Sequence, residues 1–149
     1  MQSSIERQRE KTSGISLNGL PCTITAPEVG ARIVILDYFS PEGALKLIEK
    51  EKISFVSTVP AQLAMMLEHP QLEAYDLSTV RYWYSVGAPL PDKVAAGIEE
   101  KMGGTVLTGY GLTDWGGMTI TLPEVPREIR LASSGKPIWG TEVKIVDDE

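Results

Sequence analysis

The sequence predicts an α/β fold: a mostly parallel sheet with right-handed βαβ crossovers, followed by a β-rich extension at the C-terminal end. Three observations carry this expectation. From residue 31 onward, short β-branched or aromatic runs alternate with stretches of helical period. Gly, Pro, Ser and Asp mark the joins. One helix-like stretch separates each strand-like run from the next, and strands joined that way are parallel neighbours, whereas antiparallel ones need only a tight turn.

The first strand is read at Arg32–Leu36, a short β-branched run. Ser40 is placed to cap a helix with Pro41 at its first position, and Ala44, Leu45, Leu47 and Ile48 then supply an apolar face. Ile53–Thr58 is the next strand. Pro60 again suits a helix start, Leu63, Ala64, Met66 and Leu67 give the inward face, and His69-Pro70 ends it, because a residue before proline avoids the α region. Val80–Val86, with aromatics at Tyr82, Trp83 and Tyr84, is the third strand, broken by Gly87-Ala88-Pro89. A helix over about Asp92–Met102 presents Val94, Ala95, Ile98 and Met102 on one side and stops at Gly103-Gly104. Thr105–Thr108 is a short fourth strand and Gly109–Gly117 a glycine-rich loop. Met118–Leu122 and Glu142–Val146 read as two more strands, separated by an irregular stretch with Pro123, Pro126, Gly135 and Pro137.

Composition narrows the function classes. The chain has 149 residues, 42% of them hydrophobic and 23% charged, enough apolar material for a core and unlike a disordered segment. Its formal charge of −6 and lack of a basic cluster argue against a nucleic-acid partner, which needs grouped Lys and Arg to neutralise phosphates. One cysteine, Cys22, cannot form an internal bridge and reads as a small buried apolar residue in a reducing, cytoplasmic setting. The N-terminal residues do not resemble a signal peptide, and no apolar run approaches the roughly 18 residues of a membrane span. A soluble protein is expected.

In parallel sheets ligands gather beyond the carboxyl ends of the strands. Three connections leave the predicted strands there: Thr58-Val59-Pro60, Ser85–Pro89 and Thr108–Asp114. They are expected side by side. In the third, Gly109 and Gly111 flank Tyr110, an arrangement that lets backbone approach a flat ligand, while Thr113 offers a hydroxyl and Asp114 a hard oxygen ligand. Such groups suit a nucleotide phosphate with magnesium, and an ordinary glycine-rich turn accounts for the same residues. Ser85–Leu90 is ambiguous in the same way: its small residues leave room for a planar base or for a closely packed helix.

These segments carry a resemblance. Gly109-Tyr110-Gly111-Leu112-Thr113-Asp114 resembles the Tyr-Gly-x-Thr-Glu motif of the adenylate-forming ligases, which include acyl-CoA synthetases, luciferases and peptide-synthetase adenylation domains. Ser85–Leu90 is similar to that family's Gly-Gly-Ala-Pro-Leu segment, and residues 135–147 to its Gly-x-Pro-x-x-Gly-x-x-Val-x-Ile-Val-Asp stretch. Phe39–Leu47 and Val59–Leu67 read like the acyl-CoA synthetase branch. The resemblance implies a partial AMP-binding domain over residues 14–149, a middle section of the large N-terminal domain. Residues 1–13 form a polar segment without a match. Thr12-Ser13-Gly14 looks like the start of the family's phosphate loop, but Ile15-Ser16-Leu17 does not continue it. That loop and the small C-terminal domain with the adenylation lysine are not recognised in the chain, so the isolated chain is not expected to be catalytically competent.

By this resemblance the parent enzyme joins a carboxylic acid to AMP from MgATP and can then pass the acyl group to coenzyme A. The nucleotide would be held by Gly87, Ala88, Pro89, Gly109, Tyr110, Gly111, Leu112 and Thr113, with Tyr110 against the base. Thr113 and Asp114 would act on phosphate and magnesium, and Val59, Ser85, Val86, Trp115 and Gly116 would border the acyl pocket. Two departures matter. Asp114 is one methylene shorter than the family's Glu, so a metal there needs a backbone shift or a bridging water. Val86 replaces a glycine and adds bulk where the acid's carboxylate would lie.

Other candidates have ordinary explanations. His69 sits at a helix end with no acidic or cysteine partner in sequence, and reads as a surface or capping residue. The charges over Glu42–Lys52 read as a solvated helix face. A different class of reading also stands: a non-catalytic nucleotide-binding or assembly module, such as one half of a split enzyme. Exposed strand edges would then favour self-association or a complementary chain.

Overall fold

The computed structural model describes residues 26–112 and 116–147, and the backbone alone of Ser13–Ser16. Among the described residues twelve elements are bounded, beside helical residues 26–28. They are β1 (Ser13–Ser16), β2 (Arg32–Val34), α1 (Pro41–Glu51), β3 (Phe55–Thr58), α2 (Pro60–Leu67), a 3-10 turn (Leu72–Ala74), β4 (Tyr82–Ser85), α3 (Asp92–Lys101), β5 (Thr105–Leu112), β6 (Gly116–Ile120), α4 (Arg127–Leu131) and β7 (Lys136–Pro137). The strands form one seven-stranded sheet in the order β2-β1-β3-β4-β5-β6-β7. Pairing is parallel from β2 through β5 and antiparallel from β5 through β7. The α/β, mostly parallel architecture is the one expected.

Helix starts follow the capping chemistry. Ser40 Oγ accepts from the Gly43 N–H at 3.0 Å, and Pro41 takes the first helical position of α1, where its missing N–H costs nothing. The helix ends at Lys52 in the left-handed region (φ 50°), with the Ile53 N–H returning to Ile48 O at 3.1 Å. Gly103 and Gly104, at φ 71° and 70°, stop the chain after α3, and the Trp83 indole donates to Gly103 O at 2.8 Å.

Strand alternation sorts the sheet into two faces. Val56, Trp83 and Val106 lie in register across β3, β4 and β5, all buried in the core with Leu45 and Ile48 of α1, Leu63 and Met66 of α2, and Ala95 and Ile98 of α3. On the other face Phe55, Tyr82 and Tyr84 are only half-buried, with Phe55 and Tyr84 stacked at 6.2 Å between ring centroids. Helical cover on one face explains why the aromatic run of β4 splits: Trp83 goes inward and its two tyrosine neighbours outward.

Several expected boundaries move. β2, β3 and β4 are shorter than their apolar runs, because residues at the ends of each run have no ladder partner. Gly109–Leu112 is strand rather than loop: β5 continues through it and pairs with β6, with a register shift between Tyr110 and Gly111. Glu142–Val146 is not a strand, although its residues alternate as one, since no strand among the described residues pairs with it. Four elements have no counterpart among those expected from sequence, one of them the 3-10 turn over Leu72–Ala74. β1 is masked by Ser and Gly, α4 is a five-residue helix among prolines, and β7 is two residues long and contains Pro137.

Candidate functional site

The carboxyl ends of β3, β4 and β5 stand in a row, because Thr58 is in register with Ser85 and Ser85 with Thr108. The Val86 N–H donates to Thr58 O at 3.2 Å, so the second connection starts locked to the first. Gly87 then adopts φ 93°, and a Cβ built on it would lie 3.6 Å from Val59 Cγ1. There is space for a side chain at Gly87; the left-handed backbone is what demands glycine. Beyond it Gly87, Ala88 and Pro89 are exposed, while Val59 and Val86 are half-buried.

The third connection is a hairpin. At Thr108 the chain changes partners: its N–H donates to Thr121 Oγ1 at 2.7 Å, and its carbonyl accepts from the Thr121 N–H at 2.9 Å. From Gly109 on, β5 pairs with β6, placing Gly109 opposite Ile120, Tyr110 opposite Thr119 and Leu112 opposite Gly116. The strap 133–134 is tied over the changeover by hydroxyls, Thr108 Oγ1 donating to Ser133 O and Thr119 Oγ1 to Ser134 O. Tyr110 and Leu112 keep about half their surface exposed, at 53% and 49%.

The glycines of this hairpin have a structural explanation that the sequence does not show. A Cβ at Gly109 would collide with Tyr84 Oη, and one at Gly111 with Gly116 O. They admit the protein's own atoms, a neighbouring ring and a partner strand. On the side where their Cβ would stand these glycines make room for the protein's own atoms, and the exposed surface beside them is Tyr110 with Gly87–Pro89.

Among the described residues Ser85 Oγ, which is buried, has no hydrogen-bond partner, and the same holds for Ser57 Oγ. Thr58 Oγ1, in register with Ser85, instead donates to Gln62 Oε1 on the first turn of α2. The rim thus contains one unsatisfied hydroxyl beside a satisfied one. Thr113, Asp114 and Trp115 lie outside the described residues, as does Cys22, while Gly116 is exposed at the start of β6. No group of three or more His, Cys, Asp or Glu stands close enough to hold a metal among the described residues. His69 serves the local turn, where its Nδ1 accepts from the Gln71 N–H at 3.2 Å and its ring meets Tyr75 edge-on at 5.8 Å.

Sequence reasoning missed what holds β5 in place. Among the described residues no strand pairs with β5 at Val106 on the edge not taken by β4. Glu99 of α3 accepts from the Val106 N–H at 2.9 Å, and Arg130 of α4 donates to Val106 O and to Glu99. The Glu99 and Arg130 side chains are 10% and 7% exposed. Burial raises the Glu99 pKa, but hydrogen bonds from Arg130, the Val106 N–H and Arg127 outweigh it, so its carboxyl titrates below the ordinary value. Pairing of residues 31 apart leaves no periodic signal.

Comparison with known proteins places this rim in a family context. The model of the family described as AMP-binding enzyme matches residues 17–149. A putative acyl-CoA synthetase, YngI of Bacillus subtilis (strain 168), is 35% identical over 137 residues, covering 90% of this chain and 24% of that protein. A 4-coumarate-CoA ligase, CCL1 of Humulus lupulus, is 34% identical over 125 residues, covering 81% of this chain and 23% of that one. Among solved structures, the anthranilate CoA ligase AuaEII with anthranoyl-AMP is similar at TM-score 0.83 and 27% identity, over 94% of this chain and 28% of that chain. The amide bond synthetase McbA of Marinactinospora thermotolerans is similar at TM-score 0.75 and 27% identity, over 99% and 32%. The chain therefore spans about a quarter of the length of the curated relatives it matches, and the fold is part of a larger domain.

Proposed function

The chain belongs to the AMP-binding enzyme family, and from that premise we propose that it supplies the nucleotide-facing rim of an AMP-forming carboxylic acid ligase of the acyl-CoA synthetase type. The observation that carries this reading is the row formed by the ends of β3, β4 and β5, with Gly87–Pro89 and Tyr110 left open to solvent on neighbouring strands. A base can lie against the Tyr110 ring, where stacking supplies affinity and tolerates no bulk. Ser85 and Val86 border the place of the acid, and the unpartnered Ser85 hydroxyl is a donor available to it.

In the proposed reaction a carboxylate oxygen attacks the α-phosphorus of ATP and pyrophosphate leaves. A thiol such as that of coenzyme A then takes the acyl group and AMP leaves. The acid is itself the nucleophile, so the protein's part is to align the two reactants and to offset the charge developing at phosphorus. Thr113 is assigned to a phosphate oxygen and Asp114 to magnesium, whose chemistry when bound is to neutralise phosphate charge. A non-catalytic nucleotide-binding module is the second reading, and it uses the same rim.

Titration with AMP, followed by amide chemical shifts, tests the reading. Shifts are expected at Gly87, Ala88 and Gly109–Leu112, lost in Tyr110→Ala and retained in Tyr110→Phe. Unchanged amides at saturating AMP, or changes confined to another surface, would overturn it.

A further inference from the structure

Along one edge of β5 the hydrogen-bonding partners change from side chains to a strand. The backbone groups of Val106 are taken by Glu99 and Arg130, whereas Tyr110 stands opposite Thr119 of β6. Thr108 lies between them, and there the partner is a single residue. Thr121 donates its N–H to Thr108 O at 2.9 Å, as a ladder residue does, but the Thr108 N–H goes to Thr121 Oγ1 at 2.7 Å, a hydroxyl in place of a carbonyl. The same hydroxyl donates back to Thr108 O at 3.2 Å, which one proton and two lone pairs allow. Thr121 is itself held fast. It is 1% exposed, and Gly135, at φ 87°, lies so close that a Cβ there would overlap the Ile120 carbonyl and the Thr121 nitrogen.

This lock sits where β5 gives up β4, since the parallel ladder ends at Ser85 and Thr108 and the hairpin begins at Gly109. The Tyr110 ring follows just beyond it. A strand rises roughly 3.4 Å per residue, so a change of direction at Thr108 swings that ring across the rim. A stacked ring tolerates little offset from the plane it covers. We propose that Thr121 is a positioning residue for the nucleotide: by taking the Thr108 N–H, its hydroxyl fixes the direction in which β5 leaves β4, and with it the pose of the Tyr110 ring against the base. The proposal rests on the nucleotide reading of Tyr110 and adds to it a buried residue that touches no ligand.

The test is AMP titration of the full 149-residue chain, read by amide and Tyr110 ring shifts under conditions where urea curves show each variant folded. Thr121→Val keeps the size of the side chain and removes the acceptor. It should displace the Gly109 and Tyr110 amide signals before any ligand is added. It should also weaken AMP binding at least about fivefold, the lower end of what losing a base–aromatic stack costs. Thr121→Ser keeps the hydroxyl and should bind AMP as the unmodified chain does. Ile48→Val, in the core on α1, lowers stability and should leave the affinity unchanged. Where Thr121→Val does not fold, Thr121→Cys takes its place, because a thiol is the weaker acceptor and should move both readouts in the same direction. Amides of the unmodified chain that do not respond to AMP would overturn the nucleotide reading and this proposal with it. A responsive chain whose Thr121→Val variant binds as tightly, or an equal loss of affinity in Ile48→Val, would overturn the positioning role alone.

Discussion

A methyl group added at Gly109 has nowhere to go. It would meet Tyr84 Oη, with Tyr84 Cζ at 3.0 Å and Thr119 O at 3.1 Å close behind. Two of these three atoms belong to one side chain, so the ring has to move or the hairpin has to open. Gly109→Ala is expected to destabilise the protein by about 1–3 kcal/mol, the usual cost of overpacking. Tyr84→Phe in the same chain removes the nearest atom and should return part of that loss, giving a non-additive cycle in chemical denaturation. Additive effects would show that the two residues do not compete for the same space. At Gly87 the argument differs, because its nearest neighbour leaves ordinary room at 3.6 Å and only the φ of 93° resists a side chain. The motif was legible in the sequence at this scale, whereas the reason for its glycines was not: the Tyr84 ring that fills the space lies 25 positions upstream and reaches Gly109 only because β4 and β5 are neighbours.

At the scale of elements, Glu99 and Arg130 do for β5 what a further strand would have done, closing both hydrogen-bonding groups of Val106 on its open edge. The pair is nearly buried, so breaking it from one side leaves a charge without compensation: Glu99→Gln should cost about 3–5 kcal/mol. Arg127, about half-exposed, also reaches Glu99 at 2.8 Å, and Arg127→Ala should cost under about 1 kcal/mol. The pH dependence has a definite sign. The folded pKa of Glu99 lies below its ordinary value of 4.5, so its contribution is fully present above that value and is lost as pH falls through the folded pKa. Asp76, lowered to about 2 chiefly by the Ser78 hydroxyl and then by Lys52, adds a loss of the same sign at lower pH. Urea midpoints measured from neutral pH downward should therefore fall in acid, and the limb just below 4.5 should flatten in Glu99→Gln; an unchanged limb would refute the assignment. The helices beside these groups were readable because caps and apolar spacing are local: Ser40 with Pro41, Pro60, and Gly103-Gly104 bound α1, the start of α2 and the end of α3 where expected. β1 and α4 were not, since neither a four-residue strand of Ser, Gly and Ile nor a five-residue helix contains enough of its period to be seen.

For the whole molecule, the order β2-β1-β3-β4-β5 puts a reversal of strand order between β1 and β3, and crevices in such sheets form where the order reverses and beyond the carboxyl ends. The rim of β3, β4 and β5 runs on from that reversal, so the edge proposed for the nucleotide is continuous with it. Among the described residues the rim is shallow. Gly87, Ala88 and Pro89 are exposed and Tyr110 keeps 53% of its surface in water, whereas a working ligand site buries about 70–90% of its ligand. A nucleotide held on an open edge remains hydrated, and hydration weakens the electrostatic stabilisation on which phosphoryl chemistry depends. The 149-residue protein by itself is therefore expected to bind AMP weakly and to release no pyrophosphate from ATP above background when a carboxylic acid is supplied. A coupled pyrophosphate assay with a panel of aliphatic and aryl acids checks this, run beside the AMP titration so that loss of binding and loss of turnover are read separately. Turnover that depends on the acid and disappears in Tyr110→Ala would mean that the open rim closes around its ligand, and the argument from exposure would fall while the assignment of the nucleotide site stood.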